Sequence, residues 1–240
     1  MRATTDETQR LDPIAAISAF GRATYSDLVT VVVLSVAASV ASVPLVTLGA
    51  ALLALVETMT DVVEGETTGQ MVSERGRFAA FRKSFRRNLR RGLPLSLLAI
   101  GVVVTTYVYS TIALTIREPV FLLGALAGLY AVVVVVVVLF RAASLVARAP
   151  EPAGGDSDAS SGLSATAALR DASYHLLETP SFSVLQCCFA ALLLGLCVAL
   201  GIAVVMLLPG WLALLEVVAF EETTGEGAER IVLAYRGELV

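Results

Sequence analysis

Glu57 and Glu216 stand at matching places in two short echoes, LALVE (53 to 57) and LALLE (212 to 216), within or at the inner end of strongly apolar stretches. Asp61 follows Glu57 by one helical turn, on the same face. Carboxylates at membrane depth are costly and mark proton relays or solute paths, so these three residues are the candidates for transport chemistry. The competing reading is structural. Each lies near enough to the cytoplasmic end of its stretch to reach water, or to pair with Arg82, Arg86 or Arg90.

No other set of residues converges on a reaction. His175, the only histidine, sits among Tyr174, Leu176 and Leu177, with no cysteine or carboxylate cluster at ligand spacing around it. Cys187, Cys188 and Cys197 fall inside one apolar helix, where adjacent cysteines point apart, and they read as small apolar fillers. Neither an enzyme, a cofactor nor a metal is expected.

Eight of the seventeen Lys and Arg residues lie between Arg75 and Arg91. On a helix over 73 to 92, Phe78, Phe81, Phe85 and Leu89 form one stripe, flanked by Arg82, Arg86 and Arg90, with Lys83, Arg87 and Arg91 behind. The pattern is that of an interfacial amphipathic helix, its aromatic side toward acyl chains and its guanidinium groups toward headgroup phosphates. It could serve only as a topological anchor. The sharper reading makes Arg82, Lys83, Arg86, Arg87, Arg90 and Arg91 a contact for anionic lipid or a cytosolic partner. Nothing around the helix reads bases or cradles phosphates, so nucleic acid is not an expected partner.

These residues need apolar elements to hold them. The 240-residue chain is 57% hydrophobic and 16% charged, against about 25% charged in soluble domains. An all-α, polytopic membrane bundle follows. No short apolar core with a small-residue cleavage site precedes the first apolar block, so a cleaved signal peptide is not expected. Asp12-Pro13 reads as an N-cap with proline at the first helical position, opening a surface helix over 12 to 25. The block from 28 to 57 would extend roughly 45 Å as one helix, and that from 182 to 220 roughly 58 Å, against a hydrocarbon core of about 30 Å. Pro44 breaks the first and Pro209-Gly210 the second, which predicts a hairpin at each end.

The predicted spans are 28–43, 46–63, 93–116, 120–140, 182–206 and 209–222. The fourth contains seven consecutive valines, Val132 to Val138. Six spans place sixteen of the seventeen basic residues inside and only Arg117 outside, as the positive-inside rule favours. Both termini are then cytoplasmic, and Trp211 falls in the outer aromatic belt. The organisation reads as a tail and interfacial helix (1–27), a first membrane part (28–148) containing the basic helix, a Pro/Gly/Ser-rich linker (149–165), a cytoplasmic helix with the final hairpin (166–222) and a tail (223–240). The sequence ETTG occurs at 66 to 69 and again at 222 to 225, so the LAL echoes are matched by a second pair. An internal duplication would explain both.

The order of features resembles the YesL-like family of integral membrane proteins, a domain of unknown function. The residues that carry the resemblance are a surface helix leading into the first span, a proline turn with a small-residue segment (VPLVTLGAALLAL), a basic-aromatic helix (FRKSFRRNLRRGL), two central spans and a proline-interrupted last block. The chain departs from the pattern in its few aromatics in the first span and in its long linker. The resemblance implies a non-catalytic accessory or scaffold associated with carbohydrate uptake, with transporter subunits as partners. The alternative is a small permease, in which Glu57 and Glu216 line a path between repeated hairpins. The two readings differ in geometry: a shared polar cavity for the permease, Arg-bearing helices for the accessory.

Overall fold

Asp12 opens the first helix as its side chain requires, accepting hydrogen bonds from the amides of Ile14 (2.9 Å) and Ala15 (3.1 Å) ahead of Pro13. The computed structural model describes residues 12–68, 73–116, 118–149, 164–178, 180–224 and 228–236. Most of the linker, the first eleven residues, Gly69, Arg117 and Gly225 lie outside the described residues. Among those described, every regular element is helical: α1 Pro13–Ser26, α2 Leu28–Ala41, α3 Leu48–Thr68, α4 Glu74–Asn88, α5 Leu93–Ile116, α6 Pro119–Ala147, α7 Ala165–Glu178, α8 Pro180–Ala199, α9 Ala203–Met206, α10 Leu208–Thr224 and α11 Ala228–Ala234. A short 3-10 turn, Leu45–Thr47, joins α2 to α3 after Pro44.

Among the described residues three stretches are long and apolar enough to cross a membrane: Leu45–Thr68, Leu93–Ile116 and Pro119–Ala147. The number becomes four if α1 and α2, which meet at a bend of 85°, are taken as one broken span. Six spans are not reproduced. The helix predicted for 93–116 appears unchanged, and the helix expected at the start of 166–222 is α7, Ala165–Glu178. The helix expected over 120–140 runs on to Ala147, two turns past the valine run.

α3 is the central helix of a helical body. Ala50, Leu53, Ala54, Leu55, Val56 and Met59 are buried, against partners on α2, α4, α6 and α10. α4 runs back along α3 in the opposite direction. Arg77 lies 3.8 Å from Glu66 at one end, Asn88 donates to Glu57 at 3.3 Å further along, and Gly92 reaches Gly49 at the other end. A Cβ on Gly49 would run into the Gly92 carbonyl, so the contact needs glycine. This corrects the reading of the basic helix as one that follows beyond a completed second span. It shares the level of α3.

Its aromatic stripe is corrected too. Phe81 is buried, Phe85 packs on the core, and the two rings stack at 6.4 Å. The stripe therefore covers α3 rather than facing acyl chains, and only Phe78 and Leu89, toward the ends, remain exposed. Trp211, expected in an outer belt, is half-buried against the same core.

The turn between α2 and α3 stands at the foot of α5. Ser96 Oγ donates to the Val46 carbonyl at 2.7 Å and accepts from the Gly49 amide at 2.8 Å. The turn between α8 and α10 lies beside the end of α2, where Ser39 Oγ donates to the Val205 carbonyl at 3.0 Å. Above these turns α5 and the first half of α6 pair with each other, Gly124 against Tyr109 and Gly128 against Thr106, and the rest of their surface is open. Leu97, Tyr107, Leu114, Val120, Leu122, Leu126 and Tyr130 are all exposed. α6 then enters the body, buried from Val137 to Ser144.

Candidate functional site

The two echo glutamates face different arginines in separate networks. Glu57, on α3, forms an ion pair with Arg87 of α4, and its second oxygen accepts from Ser84 Oγ at 2.5 Å and Asn88 Nδ2 at 3.3 Å. Because Ser84, Arg87 and Asn88 recur at helical spacing, one face of α4 supplies all three donors. The pair is partly open to solvent, with side-chain exposures of 44% for Arg87 and 23% for Glu57. Asp61, one turn on, is exposed. Arg87 holds Glu57, in place of the expected Arg82, Arg86 or Arg90.

Glu216 is fully enclosed. Its Oε1 lies 3.0 Å from Arg141 Nε, a charge contact without hydrogen-bond alignment, and its Oε2 accepts from Gln186 Nε2 at 2.5 Å. Arg141 also donates to Thr223 Oγ1 at 3.2 Å and to Gln186 Oε1 at 3.4 Å, and lies 5.4 Å from the Phe220 ring centroid. Here α6, α8 and α10 are tied together by one neutral set: a cation, an anion and an amide that serves both. A lone buried charge would be far more costly than this arrangement. Arg148, two turns along α6, repeats the theme nearer the surface, 3.0 Å from Glu221 and 4.2 Å over Phe220.

A third network escaped the sequence reading. Asp27, at the bend between α1 and α2, accepts from Arg77 Nη1 at 2.9 Å and from Tyr235 Oη at 2.7 Å. Thr30 Oγ1 donates to Glu74 at 2.7 Å beside it. Burial, reinforced by the Asp27 charge, pushes the Tyr235 phenol well above its ordinary range, so it remains a donor. The signal available in the sequence was an aspartate between two apolar helices. Likewise, Arg141 is the only charged residue between Pro119 and Ala147, and that isolation marked it as a paired group.

α3 and α10 repeat a local device. Each first-turn glycine amide, at Gly49 and Gly210, donates to a serine hydroxyl of another helix at 2.8 Å, Ser96 in one case and Ser35 in the other. A cavity of about 240 Å³ lies between the C-terminal ends of the two helices, lined among others by Thr60, Glu64, Thr67, Arg148, Glu221 and Arg230. Neither Glu57 nor Glu216 belongs to its lining. Among the described residues no His, Cys, Asp and Glu cluster could hold a metal ion. The three cysteines are free thiols, with Cys197 buried, Cys187 half-buried and Cys188 exposed on α8.

Comparison with known proteins found no matching family model, no matching curated protein and no matching solved structure.

Proposed function

We propose that the protein is a non-catalytic membrane accessory or scaffold of the kind implied by its resemblance to the YesL-like family, working beside a solute uptake system for carbohydrate. The observation that carries this reading is the separation of its two candidate acids. A permease using Glu57 and Glu216 needs both on one aqueous path, whereas each is neutralised by its own arginine, Glu57 between α3 and α4 and Glu216 enclosed among α6, α8 and α10. Affinity capture of the tagged protein from mild detergent tests it. Transporter subunits recovered in stoichiometric amount are expected. Recovery of the protein alone, with solute uptake by proteoliposomes that Glu57→Gln or Glu216→Gln abolishes, would replace the accessory by the permease.

For its disposition we propose one complete membrane hairpin, α5 with α6, instead of six crossings, with both termini on the arginine-rich inner side. From Ser96 to Ile116 α5 climbs roughly 30 Å, the whole hydrocarbon core. The α2–α3 turn is bonded to Ser96 itself, at the start of that climb. Single cysteines at Ser42 and Glu118, with the three native cysteines replaced by alanine, separate the two topologies. An impermeant maleimide added to intact cells should label position 118 alone. Labelling of position 42 from outside would restore six crossings.

A further inference from the structure

Arg82, Lys83, Arg86, Arg90 and Arg91 are exposed, and none of their side chains makes an ion pair or hydrogen bond within the described residues. Their neighbours differ: Arg77 is tied to Asp27 and Glu74, and Arg87 to Glu57. The cations left over therefore fall along the outer side of α4 and the turn after it. Leu93 follows Arg91 by two residues and begins α5, whose outward surface is apolar and uncovered, Leu97 being 68% exposed and Leu114 79%. Apolar surface of that extent is stable only in hydrocarbon. The boundary between hydrocarbon and water must then fall within about one turn of Arg90 and Arg91, because a guanidinium is costly any deeper.

We infer that this face of α4 binds anionic phospholipid headgroups of the inner leaflet, using Arg82, Lys83, Arg86, Arg90 and Arg91 to fix the depth of the α5–α6 hairpin. The inference rests on the hairpin being embedded in lipid and not on the accessory role. Headgroups are the occupant because placing α5 in hydrocarbon brings them to the foot of α5, whatever else the protein meets. Charge complementarity does the rest. The phenylalanine side of α4 is occupied by α3, so the helix meets the membrane through its cations and not through its aromatic stripe.

The test counts lipids bound to the full chain purified in mild detergent, by native mass spectrometry, with phosphatidylglycerol and phosphatidylcholine offered separately. Phosphatidylglycerol should bind preferentially, and each of Arg86→Gln and Arg90→Gln should weaken it about fivefold. Replacing all five cations by Gln should abolish the preference, whereas Lys at the four Arg positions should retain it. If the fivefold variant fails to fold, the two single variants carry the test. Equal binding of the two lipids, or a preference that survives the Gln variants, overturns the proposal. So does tighter binding of soluble polyglutamate than of phosphatidylglycerol, which would assign the face to an acidic protein.

Discussion

The most apolar windows of Leu45–Thr68, which contains α3, and of α5 are nearly equal in mean hydropathy, and both stretches are long enough to cross a bilayer, yet 67% of the first window is buried within the protein and only 6% of the second. The difference shows that apolarity demands cover without specifying its source. α3 finds it in α2, α4, α6 and α10, whereas α5 finds it chiefly in α6, touches α3, the α2–α3 turn and α7 besides, and leaves most of its surface open. Charge separates the two where hydropathy does not. α3 carries Glu57, Asp61, Glu64 and Glu66, while α5 carries no charged residue. α6 passes through both regimes in one helix, open at Leu122 and Leu126 and closed from Val137 to Ser144.

The sharpest way to break this contrast is to uncover a charge in the body. Glu216→Ala leaves Arg141 buried and unpaired, and should cost about 3–5 kcal/mol, the usual penalty for halving a buried pair. Thermal unfolding in mild detergent should show a large fall in midpoint. Arg141→Met combined with Glu216→Leu removes both charges and should recover most of the loss. A single variant as stable as the native chain would mean that water reaches this site, and α10 would no longer count as enclosed.

Glycine positions probe the same contrast through packing. Gly49→Ala forces a Cβ against the Gly92 carbonyl and should cost about 1–3 kcal/mol by overpacking. Gly101, on α5, has open space where its Cβ would go. Gly101→Ala should be neutral, or stabilising by up to about 1 kcal/mol through helix propensity. If both substitutions had the same effect, measured as unfolding midpoints in one detergent, α5 would be packed as closely as α3.

Much of the helix layout was legible in the sequence, because punctuation is local. Pro13, Pro44 and Pro180 start or break helices wherever they occur, and Asp12 caps the helix that follows it. What was not legible was the partner of each apolar face. The stripe of Phe78, Phe81 and Phe85 has the same periodicity whether it meets acyl chains or α3, and only the packing of α4 along α3 decides between them. The acids were found by their depth, but Arg141 and Gln186, far from Glu216 in sequence, were not. Their pairing depends on three helices meeting. The partner of Glu57 was missed by one position: Arg87 sits on the α4 face that turns toward α3, beside Ser84 and Asn88.

The smallest effect expected is at that pair. Arg87 and Glu57 are partly solvated, so their attraction is offset by screening and by the entropy of holding two long side chains. Arg87→Gln should lower stability by about 0–1 kcal/mol, and added salt should shrink the difference further. Glu57→Gln should lie in the same range, since Ser84 and Asn88 can still bond its amide. A double-mutant cycle on unfolding midpoints isolates the coupling. A coupling as large as that of Arg141 with Glu216 would show that α3 at Glu57 is shielded from water, and hydrocarbon would then reach the level of α4. Weak coupling keeps Glu57 at the wet edge of the body, where its pairing with Arg87 and Ser84 joins α3 to α4.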